Sequence, residues 1–185
     1  MKYLNYFQYN SKIILTLFFV SLFVLLLNKI TNKKSNTKIF STSRGKIFNP
    51  LTYIRMFTHI LGHDNWNHFR NNFLYILLIG PMVEEKYGSI LLLKMILITA
   101  FLTSLINIIL GNKRILGSSG ISFMLILLSS LANIENGKIP ITLILIFLFY
   151  VVNEVIDGIF KKDNISHLSH IIGAISGIIF GFYLL

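Results

Sequence analysis

The sequence contains no cysteine, which excludes disulfides, thiolate zinc sites and cysteine nucleophiles. Charge is scarce too. Charged residues make up 13% of the 185, where a soluble domain carries roughly a quarter. The seven acidic residues are outnumbered by seventeen basic ones, leaving a net charge of +10. No internal repeat and no low-complexity segment is visible. What is present is apolar: 54% of residues are hydrophobic and the mean hydropathy is +0.71. A chain this poor in charge exposes most of its surface to lipid. The basic excess then fits lysines beside anionic head groups, not nucleic-acid binding, since no soluble basic domain is present.

Apolar runs of about 17–25 residues are long enough to cross a bilayer. Six spans are expected, at 13–30, 68–84, 90–110, 117–134, 139–156 and 166–185, in one polytopic membrane domain covering 1–185. The first reads as an uncleaved anchor, because Asn28-Lys29-Ile30-Thr31-Asn32 offers no small-residue cleavage site. The connection over 31–67 is basic and then mixed, with Phe48, Leu51, Tyr53, Ile54, Met56 and Phe57, so part of it is expected in the interface plane.

Polar residues beside spans are the informative ones, because each is costly in hydrocarbon. One cluster, His63-Asp64-Asn65-Trp66-Asn67-His68-Phe69-Arg70-Asn71-Asn72, opens the second span. Gly117-Ser118-Ser119-Gly120 opens the fourth, and His167-Leu168-Ser169-His170 opens the sixth. In a six-span chain these three starts share one face of the membrane, so the clusters can converge. Glu84-Glu85-Lys86, at the opposite face, reads as an ordinary turn, and the many phenylalanines as lipid-facing bulk.

A serine, histidines and an asparagine brought together suggest acyl transfer. Serine needs a base as it attacks, and a histidine kept neutral by desolvation suits that task. His68 and Asn72 lie one turn apart and offer donors for an oxyanion, as do the free N–H groups opening the fourth span. Gly173-x-x-x-Gly177-x-x-x-Gly181 lets a neighbouring helix approach closely enough for His170 to reach a serine. The small residues of the fourth span could equally be helix-packing filler, and Ser122 fits a bond to its own backbone.

His68-x-x-x-Asn72, Gly117-Ser118-Ser119-Gly120 and His170-x-x-Gly173-x-x-x-Gly177, in that order on alternate spans, resemble the rhomboid family of intramembrane serine proteases in its six-helix bacterial form. Gly80-Pro81-x-x-Glu84-Glu85-x-Tyr87-Gly88 and His63 resemble further family positions. The resemblance covers roughly residues 50–185. It implies an all-α six-transmembrane-helix bundle with a Ser119–His170 dyad. The oxyanion hole would come from His68, Asn72 and the backbone N–H of Ser119, with Gly117, Gly120, Gly173 and Gly177 in support. It implies single-pass transmembrane proteins as substrates, a bacterial plasma membrane as location, and neither cofactor nor metal.

Family orientation puts the N-terminus in the cytoplasm. The Lys/Arg distribution opposes this, because Lys29, Lys33, Lys34, Lys38, Arg44, Lys46, Arg55, Lys113, Arg114, Lys161 and Lys162 fall on the other side. Three smaller readings complete the set. His59 and His63 fit loop positioning. Glu154 and Asp157 are a turn apart and with the histidines could suggest a metal site, but no H-E-x-x-H is present and the acids read as solvated. The end of the fifth span, with Gly158 to Asn164, is the expected gate. A client-binding protein without catalysis and a transporter with a midplane pathway are the competing readings.

Overall fold

The computed structural model describes residues 8–44, 49–111, 113–132, 138–160 and 166–184. These form helices: α1 (Lys12–Ile30), α2 (Lys34–Lys38), α3 (Pro50–Thr58), α4 (Trp66–Tyr87), α5 (Ser89–Leu110), α6 (Ser119–Leu131), α7 (Ile141–Ile146), α8 (Val152–Phe160) and α9 (His167–Tyr183). A 3₁₀ turn (His59–Leu61) follows α3, and a π-helical turn (Phe147–Val151) joins α7 to α8. No strand forms among the described residues; one isolated bridge pairs Thr42 with Ile115. Among the described residues three helical stretches are long and apolar enough to cross a membrane: Lys12–Ile30, Ser89–Leu110 and Ile141–Phe160. Two more, Ser119–Leu131 and His167–Tyr183, are apolar but shorter.

Each long helix buries one stripe. In α4 the buried positions are Phe69, Asn72, Phe73, Ile76, Gly80, Val83 and Glu84, repeating at three and four residues. Leu74, Leu78 and Met82 on the other face are exposed, as lipid contact requires. The centre of the fold is α6, where Ile121, Met124, Leu125, Leu127 and Leu128 are at most 1% exposed. Helix α9 crosses it at very close range. A Cβ built on Gly173 would strike the carbonyl oxygen of Gly120, and one on Gly177 the carbonyl oxygen of Met124. Only hydrogen fits between these backbones, which explains the glycine spacing.

Two readings from sequence are corrected here. Glu84 does not lie in a turn: it is 5% exposed inside α4, which runs on to Tyr87. Its carboxylate accepts from the backbone N–H groups of Ile13 (3.0 Å) and Ile14 (3.1 Å) and from Ser89 Oγ (2.6 Å). It thereby caps α1, whose first turn has orphan donors and a positive dipole end. The phenylalanines are not all lipid-facing either: Phe69 and Phe73 are buried and pack with Phe18, ring centroids 4.6–5.4 Å apart. In the connection between α1 and α4, Leu51, Tyr53, Ile54 and Phe57 of α3 are exposed while Met56 is buried. Phe48 and Gly158's downstream neighbours 161–164 lie outside the described residues.

Candidate active site

The first wall of the site is the start of α4. Asn65 caps it, its side-chain oxygen accepting from the N–H of His68 at 2.9 Å. His68 and Asn72 then project from one face. His63, just before the helix, is completely buried. Its Nδ1 donates to the carbonyl of Leu61 (3.2 Å), which leaves Nε2 as acceptor for Asn72 Nδ2 (3.1 Å) and Ser118 Oγ (3.4 Å). Asn36 Nδ2 in turn donates to the His63 carbonyl at 2.9 Å. Burial holds His63 neutral, lowering its pKa from 6.5 to about 3 with the nearby His68 adding to the effect. A neutral ring is what this arrangement requires, since a protonated Nε2 could not accept. His59 is likewise pushed down to about 4 by burial, and its Nδ1 donates to the Arg55 carbonyl.

The second wall is the loop before α6. It is pinned from several sides: Thr42 and Ile115 exchange two backbone bonds (2.9 and 2.8 Å), Asn107 Nδ2 donates to the Lys113 carbonyl (3.0 Å), and Gly117 N–H donates to the His59 carbonyl (2.9 Å). Gly117 has φ +106°, a conformation L side chains rarely adopt. A Cβ there would also lie 2.7 Å from His68 Nε2 and 3.1 Å from Asn72 Nδ2. The backbone just before α6 thus lies directly against the His68–Asn72 pair. Helix α6 begins at Ser119 with no side-chain cap, so its first-turn N–H groups have no side-chain partner.

The two serines differ. Ser118 is fully buried and faces His63, whereas Ser119 is half-buried and lines an open cavity. Ser122 donates to the carbonyl of Ser118, as expected, and also to that of Asn72 (both 3.3 Å), tying α6 to α4.

The third wall is α9. His170 stacks on Phe123, with ring centroids 4.5 Å apart and planes 8° from parallel. Gly120 packs against the Ser169 carbonyl, which brings the start of α6 beside His170. Ser119, His170, His68, Asn72, Gly117 and Gly120 all line one cavity of about 760 Å³. No hydrogen bond joins Ser119 to His170 here. Catalytic hydrogen bonds are often long before substrate binds, so the shared cavity is the relevant fact.

Glu154 of α8 is the residue that sequence reasoning undervalued. It is not solvated: its carboxylate lies 2.6 Å from His167 Nδ1 and 2.9 Å from His170 Nδ1. These three donors lie within 4.8 Å of one another, a spacing open to a divalent cation, though the direct Glu154–His167 bond already satisfies two of them. The available signal was a carboxylate just inside the end of an apolar span, which is expensive unless partnered.

Comparison with known proteins places the chain in a family. The profile of the rhomboid domain matches residues 50–185. The chain is also similar to rhomboid-like protein 11, chloroplastic, from Arabidopsis thaliana, at 26% identity over 132 residues. That match covers 63% of this chain and 47% of the relative, so the chain spans about half the relative's length. The expected bacterial plasma membrane gains no support from a relative whose name places it in the chloroplast. With the domain matched over most of its length and apolar helices of membrane-crossing size, the chain belongs to the rhomboid family of helical integral membrane proteins.

Proposed function

We propose that this protein is an intramembrane serine endopeptidase acting on single-pass transmembrane proteins through Ser119 and His170. The observation that carries the reading is the convergence of three separate helix starts on one cavity, with Gly117 pressed against His68 and Asn72. In this mechanism His170 takes the Ser119 hydroxyl proton as Oγ bonds to the scissile carbonyl carbon. The carbonyl π pair moves onto oxygen. That oxyanion meets the Ser119 N–H and the side chains of His68 and Asn72, the latter held in place by neutral His63. The imidazolium passes its proton to the leaving amine as the C–N bond breaks. Water, deprotonated by the same ring, then releases the acyl group and restores Ser119.

The bundle would cross the bilayer six times, by α1, α4, α5, α6, α7–α8 and α9. Helix α6 has 13 residues, about 20 Å, and falls short of a bilayer core of about 30 Å. On its N-terminal side an irregular loop precedes Ser119. Such backbone is tolerated at membrane depth where it lines a wet cavity, and hydrolysis needs that water. The exposed apolar side chains of α3 fit the interface plane, and the partners are lipid and substrate helix, with no nucleic acid.

Purified protein in detergent, incubated with a generic single-span substrate, tests this directly. Cleavage should disappear with Ser119→Ala and persist with Ser118→Ala, and a fluorophosphonate probe should label only proteins retaining Ser119. Equal cleavage by Ser119→Ala would remove the dyad. A well-folded wild type that binds the substrate, cuts nothing and takes no probe would favour client binding.

A further inference from the structure

His170 needs more than proximity to act as a base: its ring must present the unprotonated nitrogen to Ser119. Two contacts restrain that ring. Phe123 lies parallel to it and sets its plane. Glu154 approaches its Nδ1 edge, with Oε2 at 2.9 Å. His170 Nδ1 is buried and, despite this approach, has no aligned hydrogen-bond partner among the described residues. The same carboxylate oxygen takes the aligned bond from His167 Nδ1 at 2.6 Å, so Glu154 is anchored on α9 at a point one turn before His170.

We propose that Glu154 is a positioning residue for His170, accepting from Nδ1–H so that Nε2 is the nitrogen left bare for Ser119. This rests on the dyad reading above and adds a third member to it. The carboxylate selects the tautomer, because an acceptor at Nδ1 holds the proton there. It also balances the imidazolium that forms when His170 takes the serine proton. The partially buried site strengthens both effects, as side-chain exposure is 12% for His170 and 18% for Glu154. The carboxylate arrives from α8, a different helix from either reacting residue, so the completed site would draw on four helices.

The test compares wild type with Glu154→Gln, Glu154→Ala and Glu154→Asp, all purified in detergent. Initial rates on a single-span substrate should show kcat falling about ten- to hundredfold in Glu154→Gln and Glu154→Ala. KM should stay within about twofold, because Glu154 does not touch substrate. Glu154→Asp should recover much of the rate, which a purely packing role would not produce. Independently of activity, ¹⁵N NMR of histidine-labelled protein should find His170 protonated at Nδ1 in wild type and mixed in Glu154→Ala. An unchanged or raised kcat in folded Glu154→Gln and Glu154→Ala overturns the proposal, a raised value pointing instead to a latch on α8. A wild-type His170 protonated at Nε2 overturns it as well, even if the variants fail to fold. Failure of the dyad itself reads differently: wild type would neither cleave nor take the fluorophosphonate probe.

Discussion

The α6–α9 crossing and the α7–α8 stretch are both apolar and both contribute to the site, yet they are held in different ways. In α6–α9, backbone meets backbone: Gly173 and Gly177 rest against the carbonyls of Gly120 and Met124. In α7–α8 only 11% of the apolar window is buried, against 33% for α1 and 39% for α5, and α8 has no buried residue. The π turn at Phe147–Val151 further interrupts its hydrogen-bond ladder. Close packing suits the helices bearing Ser119 and His170, since a misplacement of about 1 Å between reacting groups can cost a hundredfold in rate. Loose packing suits the helix a substrate would have to displace. On the proposed mechanism rigidity and access would fall to different helices, with Glu154 a polar tie between them.

The largest effect expected from breaking this contrast is at Gly173. In Gly173→Val the added methyls meet the Gly120 backbone, which has nowhere to move, so about 3 kcal/mol or more is lost together with all cleavage. Phe149→Ala on the loose stretch, where the ring is 66% exposed, should change stability by no more than about 0.5 kcal/mol. Thermal unfolding in detergent compares the two, and similar losses would refute the distinction.

Immobilising the loose stretch sharpens the comparison further. Ile79 of α4 and Ile146 of α7 both pack against the same buried cluster, and the chain has no native cysteine. A cleavable bifunctional thiol crosslinker joining Ile79→Cys and Ile146→Cys should suppress cleavage of a transmembrane substrate, with recovery when the linker is cut. Undiminished cleavage by the crosslinked form would show that access lies elsewhere.

A further effect is a pH dependence at the two buried histidines that precede α4. His63 and His59 have folded pKa values depressed to about 3 and about 4 by burial. Unfolded, each titrates near 6.5, so between these limits the unfolded chain binds more protons. Their stabilising contribution is complete above about pH 6.5 and is lost as pH falls toward 4 and then 3, by up to about 1.4 kcal/mol per unit for each ring. Melting temperature should therefore drop between pH 7 and 5, less steeply in His63→Gln. Parallel curves for the two proteins would count against a neutral buried His63.

Sequence and tertiary structure divided this information according to range. The shortage of charge, the apolar runs and the order of three polar clusters are local properties, and they pointed to a membrane chain with its chemistry at alternate helix starts. Glycines at Gly173 and Gly177 likewise announced a close crossing, because only a missing side chain allows one. Contacts between distant residues were not legible. Glu84 reaches back 71 positions to Ile13, and His63 meets Ser118 across 55. Glu84 read as a turn and Glu154 as a solvated acid because helical period says which face a residue occupies, not what packs against it. The start of α6 is a related case: hydropathy does not reveal that Gly117 and Ser118 belong to a loop bordering a cavity and that the helix begins at Ser119. Composition and motif order, summed along the chain, determined what kind of protein this is. The partners of its buried polar groups were decided only when packing brought separate helices together, since burial makes each such group costly until a specific neighbour satisfies it.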